Sequence, residues 1–165
     1  GERFFVGGPS HHPGVTGRKI GIDTYGDFCR QPGSALSGKD PSRVDRLAAY
    51  AARYVAKSIV AAELAHRCEV HVAYGLGQIQ PIGLNIETFG TGKVSNTRLL
   101  KLVRDAIDLS PGAVMQRFGL RRLSKHSEAH GFFRQLAVFG QVGRVNPATP
   151  WEDAKLASEL RSMRT

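Results

Sequence analysis

The 165-residue chain is poor in cysteine, in long apolar runs and in acidic residues. Neither of its two cysteines, Cys29 and Cys68, lies in a CxxC pair or a Cys/His cluster, so we expect two reduced thiols. No apolar run, such as the one around residues 58–62, approaches the ~20 residues that a membrane helix needs. Residues 1–15 lack a basic start followed by an apolar core, which predicts no signal peptide and a cytoplasmic location.

Basic residues outnumber acidic ones. The 23 Lys and Arg against 14 Asp and Glu give a formal net charge of +9, which should attract polyanions. Nucleic acid, the phosphates of a nucleotide and an acidic partner surface all fit this charge. Because 41% of the residues are hydrophobic, a chain of this length can bury one core. We expect one domain over residues 1–152 and a polar helix or tail over residues 153–165.

The alternation of apolar and polar residues predicts several strands. One covers residues 19–25, and two more, at 69–74 and 82–89, are expected to form a hairpin. Residues 125–144 are aromatic and glycine-bearing and allow no assignment. With helices between the strands, this order predicts an α+β fold, a two-layer domain with a mixed or antiparallel sheet covered by helices on one face.

Helix-starting residues predict three helices. Asp40 and Pro41 fit the cap and first position of a long helix that continues to about residue 64. Ser95 is expected to cap a second helix that ends near residue 107, and Ser110 to start a shorter third one.

The start of the long helix is unusually basic. Lys39, Arg43 and Arg46 crowd an end whose dipole favours acidic groups, which should cost each about a few tenths of a kcal/mol. Helix amides, these cations and the glycine- and serine-rich segment 33–38 together suit phosphate oxygens, and Asp45 could hold a Mg²⁺ that bridges phosphates. A solvated basic end with an internal Arg–Asp pair explains the same pattern, so both interpretations stand.

A second candidate is the loop GGPSHHPGVTGRK over residues 7–19. The adjacent His11 and His12 fit a metal loop, although no third ligand lies nearby in the sequence. The loop runs into Arg18 and Lys19, which are either solvated or directed at a ligand over the sheet.

Several blocks of the sequence resemble, in the same order, the C-terminal domain of the S-adenosylmethionine synthetase family. They are FFVGGP, GVTGRKIGIDTYG, SGKDPSRVDRLAAYAARYVAKSIV, VAYGLG, ETFGT, AVFGQVGR and PWE. The resemblance implies the fold of one of three repeated domains. It also implies an enzyme that converts ATP, methionine and water into S-adenosylmethionine, phosphate and pyrophosphate, with active sites between subunits.

The resemblance further implies the roles of individual residues. Those expected to contact the triphosphate and support catalysis are Arg18, Lys19 and Lys39. Those expected to contact the rest of the ATP molecule are Arg3, Phe4 stacked on adenine, Ala35 and Leu76. His12 and Arg43 are expected to contact methionine, and Asp45 is expected to bind Mg²⁺. The resemblance also implies K⁺ as a further cation.

The chain also departs from the family pattern. His11-His12 stands where the family has Gly-Asp, so His12 replaces an aspartate that binds the substrate's ammonium group, and a neutral imidazole supplies no compensating charge. QPGSALSGKD replaces HGGGAFSGKD, and AVFGQVGR replaces AAYGHFGR. The scaffold blocks are kept while several residues on the side of the active site have changed.

We therefore expect an enzyme component: a C-terminal segment or subunit that binds ATP phosphates and Mg²⁺ and completes a site with a second chain supplying the N-terminal and central domains. Alone it should not catalyse the reaction, and its sulfur substrate is methionine or an analogue. The alternative is an inactive regulatory or structural relative that pairs with an active synthetase. We expect a homo- or hetero-oligomer, with neither membrane nor nucleic acid among its partners.

Overall fold

The computed structural model describes residues 23–26, 28–30, 35–125, 131–146 and 148–163. Its elements, in chain order, are α1 (Val44–Ala61), β1 (Glu69–Ala73), β2 (Gly83–Glu87), α2 (Asn96–Ala106), α3 (Pro111–Arg117), α4 (Leu120–Lys125), α5 (Phe132–Leu136), a 3₁₀ turn (Pro150–Glu152) and α6 (Leu156–Ser162). This arrangement confirms the α+β fold. No helix in the described ranges is long and apolar enough to cross a membrane.

The strands β1 and β2 form an antiparallel pair, which confirms the predicted hairpin. Val70 pairs with Ile86, and the side chains of this row pack into the core. His71 pairs with Asn85 on the opposite face, where both are exposed. Period-two alternation therefore places the helices on one face of the sheet. Most of the strand predicted at 19–25 lies outside the described residues, and its last residues, 23–25, belong to a turn.

The long helix begins later than predicted. Its N-cap is Arg43, with no side-chain cap, so the prediction of Asp40 as the cap and Pro41 as the first helical residue is wrong. The Asp40 carboxylate instead accepts hydrogen bonds from the amide and the hydroxyl of Ser42. An aspartate readily bonds the backbone two residues on, and this local turn competes with capping.

The two serine caps are confirmed. Ser95 Oγ accepts from the amide of Arg98 at 3.2 Å, and Ser110 Oγ accepts from the amide of Ala113 at 3.4 Å, with Pro111 as the first residue of α3. Residues 125–144, which the sequence left unassigned, contain α5 and the loop after it.

The C-terminal helix α6 contacts α1 and α2. Leu156, Ala157 and Leu160 on this helix belong to the same buried core as the rest of the described chain. The helix is therefore polar on one side only.

The centre of the core is aromatic. Trp151 is fully buried and stacks on Tyr50 of α1, with ring centroids 3.6 Å apart and planes 2° from parallel. Phe118 and Phe132 meet the same indole edge-on, at 6.3 and 6.2 Å. These contacts hold the C-terminal part of the chain against α1.

An ion network next to Trp151 fixes the same contact. The Glu152 carboxylate, 9% exposed, accepts two hydrogen bonds from Arg53, at 2.8 and 2.9 Å, and one from Lys57 at 2.8 Å. It also accepts from the amide of Gly143 at 2.7 Å. Burial alone would raise the pKa of Glu152, but the hydrogen bonds from Arg53, Lys57 and the Gly143 amide outweigh it and lower the pKa to about 2.

The cap of α2 is testable by Ser95→Ala. The change leaves the amide of Arg98 without its partner, so we expect a loss of about 1 kcal/mol in the free energy of unfolding, measured by urea denaturation. Thr97→Ala, at an exposed site on the same helix, is the control and should leave stability within roughly 0.5 kcal/mol of wild type. Equal losses in the two variants would contradict the assignment of the cap.

The Glu152 network predicts a pH dependence of stability. Because the folded-state pKa of about 2 lies below the ordinary value of 4.5, the stabilisation is complete above about pH 4.5 and is lost as the pH falls toward 2. We expect Glu152→Gln to lower the unfolding free energy on the order of 2 kcal/mol at pH 7, and by less at pH 3. Glu63→Gln, at a side chain 76% exposed, is the control. A deficit in Glu152→Gln that stays constant with pH would contradict the prediction.

Candidate functional site

The structure brings two of the predicted site residues together just before and within the first turn of α1. Lys39 Nζ lies 3.3 Å from a carboxylate oxygen of Asp45, and their side chains are 24% and 49% exposed. Arg43, at the N-cap between them in sequence, is exposed. The pair is Lys–Asp rather than the Arg–Asp pair considered from the sequence. Gly38, at φ +82°, turns the backbone immediately before Lys39 in a conformation that favours glycine.

Arg46 does not join this group, so the prediction that it converges with Lys39 and Arg43 on an anion is wrong. Its residue is 3% exposed and its guanidinium lies 4.5 Å from the ring centroid of Phe133. Its Nε donates to the Tyr50 hydroxyl at 2.8 Å, and a terminal nitrogen donates to the carbonyl of Lys39 at 2.5 Å. Arg46 is thus satisfied internally and supports the backbone that carries Lys39.

A buried polar chain continues from Arg46 to the loop after α5. The Tyr50 hydroxyl donates to Oε1 of Gln141, and Nε2 of Gln141 donates to Ser37 Oγ at 2.9 Å. Burial raises the pKa of Tyr50 to about 12, despite the opposing effect of Arg46, so the hydroxyl keeps the proton that it donates. The sequence marked position 141 only as a departure from the family pattern, and the role of Gln141 was missed because its partners are 91 and 104 residues away along the chain.

The same loop and α1 together hold the segment 23–26. The Asp23 carboxylate accepts from the amides of Gln141 and Val142, at 2.5 and 2.9 Å, and the Tyr25 hydroxyl accepts from Arg53 at 2.6 Å. Asp23 follows the predicted triphosphate residue Lys19 by four positions. The backbone of residues 141–142 therefore contacts Asp23, four positions after Lys19 in the sequence. The side chain of Gln141 contacts Ser37, two positions before Lys39.

The remaining predicted residues fall in two groups. Ala35 is half-buried beside the buried Leu36, and Leu76 lies in the loop between β1 and β2 with 82% of its surface exposed. Those outside the described residues are Arg3, Phe4, His12, Arg18 and Lys19.

A protein-only metal site is not formed by the described residues, which contain no group of three or more His, Cys, Asp or Glu side chains that could hold a metal. Asp45 offers a single accessible carboxylate. Mg²⁺ is commonly held by one or two carboxylates together with substrate phosphates, so this donor suits a cation that is shared with a phosphate chain.

Comparison with known proteins adds the family. Residues 6–153 match the family described as S-adenosylmethionine synthetase, C-terminal domain. The S-adenosylmethionine synthase of Gloeobacter violaceus is 52% identical over 159 residues, and that of Desulforudis audaxviator is 51% identical over 163 residues. These alignments cover 96% and 99% of this chain, but 38% and 39% of the relatives.

The fold comparison agrees. An unusual S-adenosylmethionine synthetase from Campylobacter jejuni superposes with a TM-score of 0.82 at 33% identity, over 92% of this chain and 38% of that one. The chain thus spans about two fifths of the length of these proteins. A match of this extent and identity, together with the fold, shows that the chain belongs to the S-adenosylmethionine synthetase family, within its C-terminal domain.

Proposed function

We propose that the chain is the C-terminal segment or subunit of an S-adenosylmethionine synthase and binds the phosphates of ATP together with Mg²⁺. The observation that carries the proposal is the meeting of Lys39 and Asp45 at 3.3 Å in a chain about 50% identical to S-adenosylmethionine synthases. In the reaction that the family implies, the methionine sulfur displaces the intact triphosphate, which is then hydrolysed. Since the leaving group is a polyanion, the chemistry needs preorganised positive charge.

The Lys39–Asp45 pair is suited to exchange its partners for a ligand. An ion pair with one half-exposed member contributes little stability, so separating it costs little. The Lys39 ammonium would donate to phosphate oxygens, and the Asp45 carboxylate would help to hold Mg²⁺, which neutralises phosphate charge. Arg18 and Lys19 would add charge from the segment that leads to Asp23.

The other roles follow from the same proposal. Arg3, Phe4, Ala35 and Leu76 would contact the rest of the ATP molecule, and His12 and Arg43 would face methionine or an analogue. Arg43 presents a planar fork rather than a lysine's point charge, so its contacts would differ in geometry. K⁺ would be a further cation, as the resemblance implies.

Partners are part of the proposal, since the chain spans about two fifths of its relatives. A second chain, or the rest of a longer one, would supply the N-terminal and central domains, and the cytoplasmic enzyme would be an oligomer. The loop between β1 and β2 supports a covered surface, because Leu76, Ile79 and Ile82 are 82%, 79% and 67% exposed. Several large apolar side chains exposed on one short loop favour a contact surface there.

A second candidate is the inactive regulatory or structural relative. It is favoured by His12, which stands where the family pattern has the aspartate for the substrate ammonium. An imidazole does not supply the missing negative charge. Such a relative would keep the phosphate site without methionine binding.

The affinity for tripolyphosphate, measured by isothermal titration calorimetry, tests the phosphate site. We expect Lys39→Met to weaken binding roughly tenfold or more, since a charge-assisted hydrogen bond is lost. Asp45→Asn should weaken binding when Mg²⁺ is present, but not in EDTA, where removing a negative charge leaves binding equal or tighter. Lys101→Met, an exposed lysine on α2, is the control with the same change of charge. Wild-type affinity in Lys39→Met would overturn the phosphate assignment.

An assay of the assembled enzyme separates the two candidates. The chain, combined with the N-terminal and central domains, is expected to form S-adenosylmethionine and cleave tripolyphosphate, and neither part should do so alone. Phosphate binding without methionine binding or product would favour the inactive relative. His12→Asp should then raise methionine affinity if the missing charge is the cause. No gain would mean that the loop differs beyond that one residue.

A further inference from the structure

Segment 37–39, which presents Lys39, is held from beneath by two polar arms. One arm is the bond from Nε2 of Gln141 to Ser37 Oγ. The other runs from Oε1 of Gln141 through the Tyr50 hydroxyl to Arg46, which donates to the Lys39 carbonyl. Both arms start at the side-chain amide of Gln141, a residue that is 2% exposed. They end two residues apart, at Ser37 and Lys39.

The donor and the acceptor of each hydrogen bond in these two arms are fixed. Arg46 has only donors, so the Tyr50 oxygen must accept from it and send its own proton to Gln141. Gln141 then turns its oxygen to Tyr50 and its NH₂ group to Ser37. The position therefore needs a side chain that carries one acceptor and one donor pointing in different directions.

Backbone contacts keep this side chain in place. The backbone N–H of Gln141 donates to the Asp23 carboxylate at 2.5 Å, and its backbone carbonyl accepts from the indole nitrogen of Trp151 at 2.6 Å. Residue 141 is thus anchored by the aromatic core on one side and holds the loop before α1 on the other.

We propose that Gln141 is a positioning residue that fixes segment 37–39 and so sets the place of Lys39. This inference rests on the proposed function for the identity of the ligand, but its geometric part stands apart from it. An amide that only filled the core would not need both of its polar atoms to lead to the one segment that carries Lys39. Gln141 would act through Ser37 and Arg46 rather than by touching the ligand.

The test measures backbone order parameters of residues 36–40 by NMR in the full 165-residue chain. We expect Gln141→Leu, which fills space without polar atoms, to lower the order parameters at 37–39 below about 0.6 while those of α1 stay near 0.85. Ser37→Ala, which cuts only one arm, should lower them at the same residues. Because the two changes break one connection, the double variant should be no more mobile than Gln141→Leu.

Gln141→His at pH 8 is the matched conservative variant. A neutral imidazole has one acceptor and one donor nitrogen, so it should restore order at 37–39. Among the described residues, the charged or titratable groups that face this position are Arg46 and Tyr50 from α1 and Asp23 from segment 23–26. Tripolyphosphate affinity with Mg²⁺, measured on the same proteins, should fall at least threefold in Gln141→Leu and recover in Gln141→His.

The outcomes are distinguishable. Unchanged order at 37–39 in Ser37→Ala and Gln141→Leu would overturn the positioning role, as would a loss of order spread evenly over the chain. If Gln141→Leu does not fold, Ser37→Ala and Gln141→His decide the matter. Loss of order at 37–39 in a protein whose wild type binds no tripolyphosphate would support the positioning role and count against the proposed function.

Discussion

The stacking of Tyr50 on Trp151 is the contact on which the rest of the described structure depends. It joins the middle of α1 to a segment about 100 residues later in the chain, and the bonds of Glu152 to Arg53 and Lys57 lock the same joint. The stack also fixes where the Tyr50 hydroxyl points. The Trp151 indole also donates to the carbonyl of Gln141. The aromatic pair therefore positions both Tyr50 and Gln141, whose side chains hold segment 37–39 through hydrogen bonds.

The charged side chains near the start of α1 differ in burial: Arg46 is buried, and others remain accessible to water. Arg46 is desolvated, and such a charge is tolerated because it is hydrogen-bonded to Tyr50 and to the Lys39 carbonyl and lies over the ring of Phe133. Lys39 and Asp45 keep contact with water. The buried cation can hold geometry but cannot reach a ligand, while the accessible pair can change partners without disturbing the core. A preorganised phosphate site, as proposed here, needs a fixed backbone beneath side chains that can exchange their partners.

Local signals in the sequence predicted much of the fold. The hairpin and the serine caps at 95 and 110 depend on a few neighbouring residues, and these were correct. Asp40 was misassigned because the same residue type that caps helices also forms a turn with its own neighbour, and sequence alone does not rank the two. Arg46 and Gln141 were misjudged or missed because their roles depend on partners brought in by folding, and helical spacing does not show that an arginine faces inward. Lys39 and Asp45 came from pattern and resemblance together, and the structure brings them into contact.

The departures from the family pattern bear unequally on the two halves of the proposed site. Phosphate groups carry several negative charges and many equivalent oxygens, so lysine and arginine side chains bind them with wide tolerance in geometry. An ammonium group is different, because it carries one positive charge whose desolvation must be offset by a nearby negative charge. In the proposed site, a histidine at position 12 in place of a carboxylate would therefore affect recognition of the amino acid much more than recognition of the triphosphate. Under the proposed function, the phosphate chemistry of the family would therefore survive a change in the sulfur substrate.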